Sequence, residues 1–187
     1  MTWVMNNKQL KPYIITMMAL FFGFAFRGYL TAEQNPAEAA KIVNELFAGF
    51  DFLNNTNPLL LFLFIFANNA IKTLFAILLG FFFGIAPLFF IIANAFVIGM
   101  VISIVGNDIG VFKILIGIIP HGIIEIPASI LASAYGLWLG IKFYKKIKKE
   151  DSFKKYLIFA LKKYFKIIIP MLLGAALIEA FVTPLFL

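Results

Sequence analysis

Cysteine is absent from the 187 residues, which excludes disulfides, zinc–thiolate centres and thiol nucleophiles. Only one histidine is present, so a His-Glu-x-x-His zinc helix cannot be built. Charge is scarce: 13% of residues are charged, where a soluble domain carries about 25%. Carboxylates are scarcer still, 9 Asp+Glu against 16 Lys+Arg. The deficit is filled by apolar side chains, 63% hydrophobic and 17% aromatic. One small core cannot bury that excess, so a soluble enzyme, a nucleic-acid-binding module and a disordered tail are excluded. An outer-membrane barrel would alternate polar and apolar residues, whereas Ile71 to Ile85 is nearly continuous. The composition implies an all-α, polytopic membrane bundle forming a single membrane domain over 1–187.

Apolar runs place the spans. The first covers 12–30; it is too long for a signal-peptide core, and Arg27-Gly28-Tyr29-Leu30 offers no small-x-small cleavage site. Asn35-Pro36-Ala37-Glu38 reads as a helix start, with Asn at the N-cap, Pro at the first position and Glu at the third. Ala39, Ile42, Val43, Leu46, Phe47 and Phe50 follow at helical spacing and predict an amphipathic helix over 36–53. The run from Pro58 to Val105 allows two crossings, 58–84 and 87–105, with a turn near Gly84-Ile85-Ala86-Pro87; the first is longer than needed, so it must either tilt or break, a break falling at Asn68-Asn69. Gly106 to Gly110 is a second turn. Beyond it, Ile119-Pro120-His121-Gly122 interrupts a long apolar stretch, because proline removes a backbone donor and clashes with the carbonyl four residues back. We therefore expect a re-entrant half-helix over 111–120 and a full span over 122–142. A basic segment at 143–166 precedes a last span at 167–187.

Lysines orient the bundle. Ten of the 16 Lys+Arg lie between Lys142 and Lys166, against Glu150 and Asp151 alone. Retention of such loops inside puts the amino terminus in the cytoplasm and the carboxyl terminus outside, in the cytoplasmic membrane. The 31–57 connection, with Glu33, Glu38, Glu45 and Asp51, then faces out. Tyr144, Phe153, Tyr156, Phe159 and Tyr164 are interleaved with the lysines, the composition of a helix held at an anionic leaflet; the reading assigns no nucleic-acid partner.

An ionisable group in hydrocarbon costs at least about 2.5–3.5 kcal/mol on insertion scales, so such groups mark candidate sites. His121 and Glu125 are four residues apart and share a helix face. With Glu179 they form a candidate cation site, served by carbonyls that Pro120 and Pro127 would free. Asn68, Asn69, Lys72 and Asn94 extend this set into a polar path across the bilayer. Catalysis is not expected: Ser129 and Ser133 have no base arrangement, and His121, Glu125 and Glu179 lack the remainder of a zinc-hydrolase motif. No organic cofactor is implied.

Small residues give the packing signal. Ala128, Ala132, Gly136 and Gly140 make an unbroken four-residue stripe, echoed by Gly80-x-x-x-Gly84 and Ala95-x-x-x-Gly99. Such stripes let helix backbones approach closely, within a chain or in a homo-oligomer such as a dimer.

The sequence resembles the family named after stage II sporulation protein M. The resemblance rests on Ile119-Pro120-His121-Gly122-Ile123-Ile124-Glu125-Ile126-Pro127-Ala128, on Ala134-Tyr135-Gly136-Leu137-Trp138-Leu139-Gly140, on Phe66-Ala67-Asn68-Asn69 and on Ile178-Glu179-Ala180-Phe181-Val182-Thr183-Pro184. It covers most of 12–187. It implies a polytopic membrane fold and, in spore formers, a non-catalytic anchor for enzymes that remodel septal peptidoglycan. Two functions follow as expectations: an intramembrane polar site that binds and passes a cation or small solute, and, as the alternative, a membrane scaffold for partner proteins.

Overall fold

The computed structural model describes residues 9–48, 57–147 and 153–185, although the side chains of Phe47, of 108–109, of 111–121 and of Leu185 lie outside that description. No strand occurs among the described residues. Seven α-helices follow in order: α1 (Lys11–Gln34), α2 (Pro36–Ala48), α3 (Pro58–Leu78), α4 (Ile85–Ile109), α5 (Val111–Ile147), α6 (Phe153–Lys163) and α7 (Ile169–Leu177). Five stretches are long and apolar enough to span a membrane: Lys11–Gln34, Pro58–Phe81, Ile85–Asn107, Gly122–Ile147 and Phe153–Val182.

Local chemistry sets the helix ends. Pro12 and Pro58 occupy the first turns of α1 and α3, where a missing N–H costs nothing. Asn57 caps α3 through its side-chain oxygen, which accepts from the Leu59 N–H at 2.8 Å. The α3–α4 connection is a 3-10 turn, Leu79–Phe81, closed by Phe83 and Gly84 at positive φ, 54° and 78°. Gly110, at φ 91°, is all that separates α4 from α5.

Helix α5 is the axis of the bundle, touching α1, α3, α4, α6 and α7. Gly80 lies against Gly136 and Gly84 against Gly140, so α3 and α5 run in the same direction. Gly28 lies against the Phe96 carbonyl and Glu33 reaches Ser103, so α1 and α4 are likewise parallel. The last span returns antiparallel to α3: the Tyr164 hydroxyl meets Ala70 and the Phe181 ring lies 6.4 Å from Phe62. Helix α2 folds back onto α4, burying Ala39 and Val43 beside Ala32 and Met100.

Three expectations change. The backbone does not re-enter over 111–120: α5 continues as one 37-residue helix through Pro120 and Pro127. A proline removes one hydrogen bond, whereas a re-entrant loop exposes many backbone groups to an apolar phase. Nor does Asn68-Asn69 break α3, because those amides stay on a continuous helix. The basic stretch is also no separate segment. Helix α6 runs through a π-helical turn, Tyr164–Ile168, into α7, and a second, Ile178–Val182, follows. Each π turn contains the residue four before a proline, Lys166 before Pro170 and Ala180 before Pro184, and so absorbs the proline's clash without ending the helix. At ~1.5 Å per residue the 30-residue Phe153–Val182 stretch is about 45 Å long, so its lysine-bearing third projects beyond a ~30 Å core.

Candidate functional site

The closest helix contacts are built from glycine. A Cβ on Gly136 would collide with the Ala76 carbonyl and sit 2.9 Å from the Pro87 side chain. One on Gly140 would sit 2.7 Å from the Gly80 carbonyl oxygen. Ala128 and Ala132, on the same stripe, are fully buried. Gly136 and Gly140 of α5 and the Gly80/Gly84 pair therefore face each other inside one chain. Gly28 and Gly99 perform the same task between α1 and α4.

A buried polar knot ties α3 to the last span. The Thr73 hydroxyl donates to the Asn69 carbonyl at 2.6 Å, and the Tyr164 hydroxyl donates to the Ala70 carbonyl at 2.7 Å. Both hydroxyl-bearing residues are buried. Sequence reasoning missed this knot, because Tyr164 reads as one interfacial aromatic among several. A second polar contact closes the far end of α1 and α4: Glu33 accepts from Ser103 at 2.8 Å and from Asn107 at 3.2 Å. No spacing within either helix announces it.

The expected polar path is distributed differently. Asn94 is half-buried and turns its amide back to the Phe90 carbonyl of its own helix, at 2.7 Å. Asn68 and Asn69 are half-buried on α3. Lys72 is exposed on the outer face of α3 between exposed Ile71 and Phe75, not turned inward. Lysine is amphipathic, and its charge avoids the tightly packed α3–α5 seam, which has room only for small groups.

Of the candidate cation ligands, Glu125 is half-buried on α5 between Pro120 and Pro127. Glu179 is half-buried on the π turn that Pro184 sets, and that turn packs against α3 and α5. The side chain of His121 lies outside the described residues. Among the described residues no three His, Cys, Asp or Glu side chains gather as a metal site.

The lysine-rich end is more ordered chemically than its sequence suggests. Trp138, on the side of α5 opposite the small-residue stripe, packs edge-on against Tyr156 of α6 with ring centres 5.4 Å apart. The Lys142 ammonium lies 4.6 Å from the centre of the Tyr156 ring and 5.8 Å from that of Trp138. Lys155 lies 5.0 Å from the same Tyr156 ring, and Lys163 is 5.7 Å from Phe159.

Comparison with known proteins agrees with this architecture. The family model described as stage II sporulation protein M matches residues 15–184. An uncharacterised protein of Methanocaldococcus jannaschii is 31% identical over 179 residues, covering 92% of this chain and 94% of that relative. No solved structure matches. The match takes in the Pro120–Pro127 element, the Gly136/Gly140 face and the Glu179 turn together, and the chain belongs to the stage II sporulation protein M family.

Proposed function

We propose that this protein is a non-catalytic membrane scaffold, and that the outer face of α3 receives a transmembrane helix of a different protein. The observation that carries this is Lys72. It is exposed between Ile71 and Phe75, nine residues before the end of its span at Phe81. Nine residues are about 14 Å of helix, roughly twice what a lysine arm can snorkel. Left facing lipid, the ammonium would cost at least about 2.5 kcal/mol. A partner helix carrying a carboxylate or amide at that depth removes the cost. A two-fold dimer centred on α3 does not, since it would bring two Lys72 ammoniums together. The glycines of the stripes that suggested a homodimer have partners within the chain, Gly136 and Gly140 against Gly80 and Gly84, and Gly99 against Ala25.

The test is a photo-crosslinking residue at Phe75 in native membranes, with exposed Phe89 on α4 as control. The expected result is a discrete heteromeric adduct at Phe75 that Lys72→Leu abolishes. Adducts with lipid alone would defeat the proposal.

A second reading retains cation binding. It is favoured by two half-buried carboxylates on elements that touch, Glu125 on α5 and Glu179 on the π turn, since π turns recur at functional sites. Its test is ion flux in proteoliposomes, expected to vanish in Glu125→Gln and Glu179→Gln while the protein stays folded. Wild-type protein that passes none of a broad ion panel would end it.

A further inference from the structure

Helices α3 and α4 both pack on α5, yet they scarcely touch each other. Among the described elements, only α5 and the Leu79–Phe81 turn pack substantially against both. Beyond that turn the two helices therefore flank a lateral cleft whose floor is α5.

The three helices meet at Gly136, where an added Cβ would reach both the Ala76 carbonyl and the Pro87 side chain. Helix α3 runs parallel to α5, and α4, joined to α5 through Gly110, runs antiparallel. About two turns away from the tip, the same helix faces carry Ser129 on α5 and Asn94 on α4. The same step along α3, from the Gly80 that lies against Gly136, ends at Thr73 and Lys72. A hydroxyl, an amide and a cation from three helices thus share one depth. Ser129 and Asn94 are half-buried and Lys72 is exposed, as befits a floor, a wall and a mouth.

The chain leaves this polar set unsatisfied. Asn94 gives one N–H to the Phe90 carbonyl, and its side-chain oxygen accepts nothing among the described residues. The side chains of Ser129 and Lys72 make no hydrogen bond or ion pair among the described residues, and Glu125, a turn further along α5, is engaged elsewhere. Unmet polar groups in an apolar phase cost free energy, which a complementary ligand recovers. Lys72, Ser129 and the second N–H of Asn94 are all donors. Converging from three helices, they fit an acceptor with two oxygens and a negative charge. A side-chain amide would set its own N–H against them, and an ammonium would add repulsion. A lipid headgroup stays at the interface, whereas a transmembrane helix carries a carboxylate to this depth and needs such partners for it.

We infer that this cleft is the recognition site for a single Asp or Glu at the middle of the partner's transmembrane helix. Lys72 pairs with the carboxylate, and Ser129 and Asn94 donate hydrogen bonds to it. The inference rests on the scaffold reading and adds the partner's chemistry and the α4 and α5 residues that read it.

The experiment reconstitutes the full chain in phosphatidylcholine vesicles with a leucine–alanine transmembrane peptide that bears an acceptor dye and has Glu, Gln or Leu at its midpoint. Because the chain has no cysteine, Gln34→Cys, at the exposed end of α1, holds the only donor dye, and energy transfer reports affinity. Wild type is expected to bind the Glu peptide about ten-fold more tightly than the Leu peptide. Lys72→Met should abolish that preference, and Asn94→Leu and Ser129→Ala should each cost about three-fold. Lys166→Met, which removes an exposed lysine of the last span, should leave it unchanged. Lys72→Arg keeps the charge and should retain most of the preference, which separates loss of the site from loss of the fold. Equal binding of the Glu and Gln peptides overturns the carboxylate assignment. Asn94→Leu and Ser129→Ala both without effect overturn the cleft, and equal losses in Lys72→Met and Lys166→Met overturn the site as a whole. The scaffold reading fails separately: lipid adducts alone at Phe75 in native membranes would end it, while discrimination between the peptides would still establish the chemistry of the cleft.

Discussion

Over an apolar 18-residue stretch of each span, 56% of residues are buried in α5 against 17% in α1 and α3, yet α5 is the less apolar of α5 and α3. Burial runs round the helix: Ala128, Ile130, Ala132, Ser133, Ala134, Tyr135, Trp138 and Leu139 are buried, with Gly136 and Gly140 among them. The outward faces of α1 and α3 carry the large side chains instead, among them Phe22, Phe26, Leu60 and Phe75. In water this arrangement would be inverted, because burial follows hydrophobicity. In a bilayer, acyl chains are as apolar as leucine, so transfer to the interior gains little and close backbone approach decides the packing. Size, rather than hydrophobicity, selects which helix becomes the axis.

The sharpest way to break that contrast is to enlarge the axis. Gly136→Leu puts a side chain where a Cβ already collides with the Ala76 carbonyl, and should cost about 3 kcal/mol or more in reversible unfolding in mixed detergent micelles. Gly23→Leu makes the same chemical change on the outer face of α1, where a Cβ meets nothing within 4 Å, and should stay within about 0.5 kcal/mol of wild type. Comparable losses at both sites would mean that close packing at the axis does not govern. Tyr164→Phe removes the hydroxyl that donates to Ala70 and should cost about 0.5–1.5 kcal/mol by the same assay. An unchanged stability there would show that the knot between α3 and the last span holds nothing. The smallest effect concerns Ser133, a fully buried hydroxyl on α5 without a hydrogen-bond partner. Ser133→Ala is expected to be neutral or to stabilise by up to about 1 kcal/mol, and a clear loss would indicate that the hydroxyl has a bonded partner in the membrane.

Much of the fold was legible. Apolar run length indicated five spans, though not where the last one starts, Asn35-Pro36 the start of α2, and Gly84 the reversal between α3 and α4. The Pro120–His121–Gly122 element misled the reading, because a proline inside an apolar phase strains a helix less than a loop would. Site residues were less legible. Glu125 and Glu179 stand out in any hydropathy scan, but Thr73, Tyr164, Ser103 and the Lys142–Tyr156 pair depend on partners many residues away. Their types are ordinary; only their neighbours make them polar contacts.

The sequence alone determined that this chain must be a bundle of membrane helices, because no other structure satisfies the backbone of so many consecutive apolar residues. It also determined where the cationic end lies, since lysines cluster along the chain itself. Tertiary structure alone decided that Gly80 and Gly84 meet Gly136 and Gly140 within one chain, that Lys72 faces outward, and that Lys142 and Lys155 share one ring. Those are questions of which helix faces which, and they are settled by fit between surfaces far apart in sequence, about which local periodicity carries no information.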